Sequence, residues 1–293
     1  MDALKHTANR QAVWSRTAST LKAVLDRTRW TVFGLSIAGA LLATIAAQSH
    51  ANTRWWFAMI AAAALATGTF LTTRLMGGAH VSDWVRARAA AEALKGEAYK
   101  CAANASPYDG DQPSRVAKLN EEREKIEDAV VDLIDKEVRP PSSGSAPTGD
   151  ITPDEYIERR VRGQADGFYE RKADAYRRLT TFLGWIEFSL ALVATIITAV
   201  IGAADKEKLG GFDYVGLAAV FTTISGAIVA HVESSRYRFL VTTYRATARR
   251  LNNELARIAQ PFAAPSSEWS DFVSRCEMIL AEENGGWLAK WTK

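Results

Sequence analysis

Four stretches of this chain carry almost no charge: residues 31–53, 55–73, 188–204 and 214–232. A helix rising 1.5 Å per residue needs about 20 apolar residues to cross a hydrocarbon core of about 30 Å, and each stretch is near that length. The 36 Lys and Arg and 33 Asp and Glu of the 293 residues therefore crowd into the remainder. That partition excludes a plain soluble globule, and it equally excludes a protein that is mostly membrane. Aromatic rings sit where the apolar stretches meet charge, as headgroup-level anchors do: Trp30, Trp55 and Trp56, Trp185, then Phe212 and Tyr214.

The basic flanks set an expected orientation. Residues 1–30 carry six Lys or Arg, residues 155–178 seven and residues 233–250 five, whereas the turn 49–54 has one. The turn 205–213 has two lysines against three acids. The positive-inside tendency then places both termini and the middle segment in the cytoplasm, at an inner membrane, with two short turns outside. The net charge of +3 follows from this topology and does not point to nucleic acid. No cleavable signal peptide is expected, because the first apolar run starts near residue 31 and is long enough to span. Cys101 and Cys276 fall on the cytoplasmic side, where a structural disulfide is not expected.

The chain is expected to be an all-α polytopic membrane protein, built as two tandem helical hairpins that extend into a cytoplasmic helical bundle. The first repeat covers 1–139 with spans near 31–50 and 55–74. A linker, 140–151, contains PPSSGSAPTGD. The second repeat covers 152–293 with spans near 182–204 and 213–232. Both repeats cross twice and so point the same way, unlike an inverted transporter repeat. Thr152, Pro153 and Glu155 predict a capped helix start. Val241, Tyr244, Ala248, Leu251, Leu255 and Ile258 predict a helix with a packing seam, as do Val116, Leu119, Ile126, Val130 and Leu133. Trp269, Phe272, Cys276, Ile279 and Glu283 mark one face of the last helix, with Trp287 beyond.

Side chains arranged for catalysis are missing from the sequence pattern. His6, His50, His80 and His231 are scattered, without ligands at zinc spacing. No Gly-rich phosphate loop or dinucleotide fingerprint occurs. Asp109-Gly110-Asp111 reads as a turn. No enzymatic activity, cofactor or metal is expected.

Three features remain as candidate sites. Glu187 intrudes on the third apolar run, where it either gates a pathway or is satisfied by headgroups, water, Arg177 or Arg178. Small residues recur at steps of four, as in Ala62 and Ala66, Ala191, Thr195 and Ala199, and Thr222, Gly226 and Ala230; such stripes either pack helices closely or line a weakly polar pore. Arg159, Arg160 and Arg162 could contact a signal or anionic lipid, or simply form a solvated face.

Specific residues go further. The stretch WVRARAAAEALKGEAY, from Trp84 through Glu92, Leu94, Lys95 and Glu97 to Tyr99, is followed by Ala105-Ser106-Pro107-Tyr108. It resembles the helix after the membrane hairpin of SLATT domains, two-span effector domains that accompany prokaryotic nucleotide-signalling systems. In the second half, Tyr156, Arg159, Gln164, Tyr169 and Lys172 resemble the opening of one SLATT subfamily. Tyr244, Leu251, Phe272, Glu277, Leu280, Glu282 and Trp287 resemble its closing helices. The resemblance implies two fused copies and an inner-membrane effector of a defence or conflict system. It further implies permeabilisation of the membrane on a signal from a partner protein or a nucleotide second messenger. The expected partners are thus the bilayer, further copies of the chain and a signalling or sensor protein. A scaffold without pore activity is the alternative, and a small-molecule or ion transporter the third reading.

Overall fold

The computed structural model of the protein describes residues 2–139, 144–203 and 214–291. The expected outer turn 205–213 with Phe212, the opening of the linker at 140–143 and the side chain of Trp287 lie outside the described residues. All regular structure among the described residues is helical. In chain order the helices are α1 (Asp2–Gln48), α2 (Ala51–Leu75), α3 (Gly78–Ala102), α4 (Gln112–Asp128), α5 (Pro153–Ala203), α6 (Tyr214–Ser234), α7 (Tyr237–Ala256) and α8 (Ser267–Trp291). Among the described residues four helical stretches are long and apolar enough to cross a membrane: Ala3–Gln48, Ala51–Leu75, Pro153–Ala203 and Tyr214–Ala256. The protein is an all-α polytopic membrane protein.

Local chemistry explains the breaks. The side chain of Asp111 accepts from the Ser114 N–H at 3.2 Å and Pro113 occupies the first turn, which starts α4. Thr152 caps α5 reciprocally: its hydroxyl accepts from the Glu155 N–H at 3.3 Å, and its own N–H donates to the Glu155 carboxylate at 3.0 Å. Asn104, at φ 51, turns the chain out of α3 in the left-handed conformation asparagine tolerates. The expected seam of the fourth helix is shorter than its apolar period, because α4 stops at Asp128 and Val131–Lys136 wind as a 3₁₀ turn.

The chain folds as two compact units. The first comprises residues 1–24, 78–173 and 242–293, and the second residues 25–77 and 174–241. Each unit thus draws on both sequence halves. In the first, Leu4 and Ala8 of α1 pack with Ala98, Cys101 and Ala102 of α3, with Tyr108 and with Leu119 of α4. The described part of the linker is tied down here: Ala146 is buried in that cluster, and the Ile151 N–H donates to the Ala102 carbonyl at 2.9 Å.

In the second unit, α1 and α2 approach closely at Gly39, where a Cβ would stand 2.7 Å from Leu65 Cδ2. Leu183 of α5 packs with Ile228 and Val232 of α6, flanked by Phe33 of α1. Small residues do pack these helices, but at a different phase from the expected stripes. Ala61 and Gly68 are the buried residues of α2, while Ala62 and Ala66 are exposed. On α6 the buried face carries Ala218, Ser225 and Ile228, leaving Thr222, Gly226 and Ala230 exposed. On α5 it is Ala194 that is buried, with Ala191 half-buried and Thr195 and Ala199 exposed. Alanine-rich spans permit several stripes of step four, and the period alone does not say which one meets a neighbour. Ser36, Thr44, Thr69, Thr195, Thr198 and Thr222 donate their hydroxyl protons to carbonyls four residues earlier, which satisfies them within their own helices.

Candidate functional site

Charge is concentrated inside the first unit, where α3, the start of α5 and α8 meet. Arg160 is only 1% exposed. Its Nε donates to Glu277 Oε1 at 2.9 Å and its Nη2 to Glu277 Oε2 at 2.7 Å, a bidentate pair. The Tyr156 hydroxyl adds a third bond to Glu277 Oε1 at 3.0 Å. The guanidinium stands over the Tyr99 ring, 5.0 Å from its centroid, and its Nη1 is 3.7 Å from Glu92 Oε2. Farther along α8, buried Glu283 accepts from the Tyr169 hydroxyl at 3.2 Å and pairs with Arg88 at 3.4 Å. Both layers bring α3, α5 and α8 together through charged or hydroxyl groups.

Helix geometry makes this possible. α5 winds as a π-helix over Ile157–Arg162 and again over Ala165–Glu170. Among its buried positions, Tyr156, Arg160, Ala165, Tyr169 and Ala173 recur at about four residues, with Val161 buried beside Arg160. At 3.6 residues per turn, an α-helix would carry Ala173 roughly 100° away from Tyr156, and the wider π turns keep both on the inward face. Gly96 of α3 is the matching concession, since a Cβ there would stand 3.1 Å from Glu277 Oε2.

The electrostatics follow from burial and pairing. For Glu92, burial acts to raise the pKa, but Lys95, Arg160 and Arg88 outweigh it and hold the carboxyl below its ordinary value. Lys95 is pushed down by burial, which Glu92 only partly offsets. Burial also pushes up the thiols of Cys101 and Cys276, both free, and the phenol of Tyr108, which donates to Glu97 at 2.6 Å. A cavity of about 540 Å³ opens beside this layer, lined by Glu92, Gly96, Lys100, Arg160, Glu277 and Asn284 among others. Among the described residues no group of three His, Cys, Asp or Glu could hold a metal ion.

The structure divides the arginine cluster. Arg160 is the buried centre of the layer, whereas Arg159 and Arg162 are exposed and pair along their own helix with Glu155 at 3.2 Å and Glu158 at 3.1 Å. Their contrast comes from helix phase: Arg160 and Val161 lie on the inward face, and Arg159 and Arg162 flank it. Glu187 is half-buried in the second unit and accepts from the Ser225 hydroxyl of α6 at 3.2 Å. Its observed partner is thus a hydroxyl on a neighbouring helix. The residues that carry the sequence resemblance converge: Glu92, Tyr99, Tyr156, Tyr169 and Glu277 all belong to the charged layers. Sequence reasoning groups Arg160 with its neighbours and singles out neither Glu277 as its partner nor Arg88 as the cation of the second layer. The four-residue step from Tyr156 to Ala173 was the available signal.

Comparison with known proteins adds two findings. Residues 156–287 match the family described as SMODS and SLOG-associating 2TM effector domain 1, and residues 12–115 match a family described as a protein of unknown function, DUF4231. No curated protein and no solved structure matches the chain.

Proposed function

We propose, from the match of residues 156–287 to the two-span SLATT effector domain, that this SLATT-domain protein is a membrane effector of a prokaryotic defence or conflict system. On a signal it permeabilises the inner membrane, acting without catalysis and with both termini in the cytoplasm. The observation that carries the reading is the coexistence, in one chain, of four spans and a polar helical unit stapled by buried ion pairs. Buried pairs of this kind fix one arrangement of helices, and repacking of ion pairs is one route by which such an arrangement gives way to another.

The trigger is a signalling or sensor protein or a nucleotide messenger. The cavity beside Arg160 favours the protein, because Glu92, Glu97 and Glu277 outnumber Arg160 and Lys100 along its wall and oppose a phosphorylated ligand. Arg159 and Arg162, each paired with a glutamate of its own helix, present exposed polar groups outside that cavity for a partner surface. Assembly into a homo-oligomer runs through the spans, where Trp185, Phe188 and Ile196 are exposed.

A second reading is favoured by one observation. Tyr244, Ala248 and Leu251 of the α7 seam and Trp269, Phe272 and Cys276 of α8 are buried within the chain. Faces filled in this way leave no seam calling for another chain, as in a monomeric scaffold that docks partners and opens nothing. Induced expression in a bacterial host, followed with a voltage-sensitive dye, separates the two. The effector depolarises cells alone or with its trigger co-expressed, and Glu187→Gln alters the current at unchanged membrane abundance. Steady potential with every co-expressed partner would leave the scaffold.

A further inference from the structure

The second unit holds a smaller cavity, of about 260 Å³, walled by α1, α2 and α6. Two nitrogen-bearing side chains line it from different helices, Arg29 of α1 and His231 of α6, exposed by only 7% and 4%. Arg29 pairs with Asp26 at 3.1 Å, but Asp26 is close to half exposed, so water screens that partner. His231 is packed among rings, with Trp30 at 4.4 Å and Phe33 at 4.8 Å between centroids. The Arg29 backbone stands near the imidazole, and neither ring nitrogen has a partner at hydrogen-bond geometry among the described residues. A buried imidazole left in that condition costs free energy that an occupant of the cavity would recover.

The other polar groups of the wall define what that occupant offers. Ser36, Thr72 and Ser234 spend their hydroxyl protons on the carbonyls of Val32, Gly68 and His231, at 2.9, 2.9 and 3.1 Å. Donors therefore come from Arg29 and His231 alone, and both suit an oxyanion. Sequence places the pair where apolar span gives way to charged flank, next to Trp30, which is headgroup level. Val32, Phe33 and Ala227 supply an apolar side to the same cavity.

We propose that this cavity binds the phosphate ester of a membrane phospholipid, held by Arg29 and His231 between α1, α2 and α6. The binding chemistry is that of a phosphate oxyanion, which inorganic phosphate shares, and the proposal holds whether or not the protein permeabilises membranes.

The test uses the full chain, purified in mild detergent and delipidated, then mixed with phosphatidylglycerol, a phosphate-free glucosyl diacylglycerol or inorganic phosphate. Native mass spectrometry reads the retained lipid, and thermal unfolding reads phosphate. The expected result is one retained phosphatidylglycerol per chain and no retained glycolipid. Retention falls about tenfold or more in His231→Phe and Arg29→Gln, as for loss of one charge-assisted bond, and partly returns in Arg29→Lys. Ala227→Leu, which fills the cavity and keeps both donors, also abolishes retention, so the outcome does not hinge on a misfolded charge variant. A rise in Tm with inorganic phosphate alone, absent in the variants, would keep the oxyanion site and make its source soluble. Equal retention of the glycolipid, or retention unchanged in the three loss variants, would overturn the proposal, as would no response to either phosphate source.

Discussion

The two units differ in what they leave on the outside. The first hides Arg160, Glu277, Glu283 and Lys95 beneath an outer surface of charged side chains, whereas the second leaves Phe70, Trp185 and Phe188 on its outside. Water drives the first: aromatic bodies such as Trp269 and Phe272 are expelled from it, and the charges enclosed with them are tolerated because Arg160 is matched by Glu277, Glu283 by Arg88, and Lys95 lies in the field of Glu92. Lipid surrounds the spans of the second, so burying an apolar side chain gains little there and close backbone approach decides the packing. A set of paired buried charges and a set of spans packed by close backbone approach are different kinds of stability, and their difference is measurable.

The largest effect is expected at Glu277. Glu277→Leu strands a buried guanidinium and should cost about 3 kcal/mol or more of unfolding free energy in detergent, while Arg160→Met with Glu277→Leu recovers most of it. A single variant close to wild type would erase the contrast between the units. In the spans the corresponding weak point is Gly39, where Gly39→Ile collides with Leu65 and should cost about 2 kcal/mol. A smaller comparison concerns helix phase: Ala61→Leu should lower Tm by a few degrees and Ala62→Leu by less than about one, since only the first is buried. Equal shifts would mean that Ala62 faces a second chain.

The smallest expected effect is on pH dependence. The folded-state pKa of Glu92 lies below its unfolded value of about 4.3. Its contribution is therefore present above that value and lost as pH falls through the folded one. Glu92→Gln should unfold with a shallower acid limb than wild type between about pH 5 and pH 3. An unchanged limb would detach Glu92 from the charged layer.

Much of this architecture was legible. Span number, the start of α5 at Thr152 and the inward face of α8 from Trp269 to Glu283 follow from composition, capping chemistry and period, which are local properties. The charged layers were only half visible. Arg160 stands beside Arg159 and Arg162 in sequence, and nothing local distinguishes the buried one, because burial depends on the winding of α5 and on an acid more than a hundred residues away. Glu187 stood out as a charge in an apolar run, yet its partner Ser225 belongs to a helix that only folding brings near.

By itself the sequence determined that this chain carries four stretches fit to cross a membrane and that its described regular structure is helical, since hydrophobic length and helix chemistry need no long-range partner; the residues of its second half likewise carry the likeness to the SLATT domain that residues 156–287 match. Tertiary structure decided which stripe of each alanine-rich span is inside, which arginine is buried and that both sequence halves build each compact unit. Those choices rest on the phase of one helix against another, a quantity that period and composition leave free.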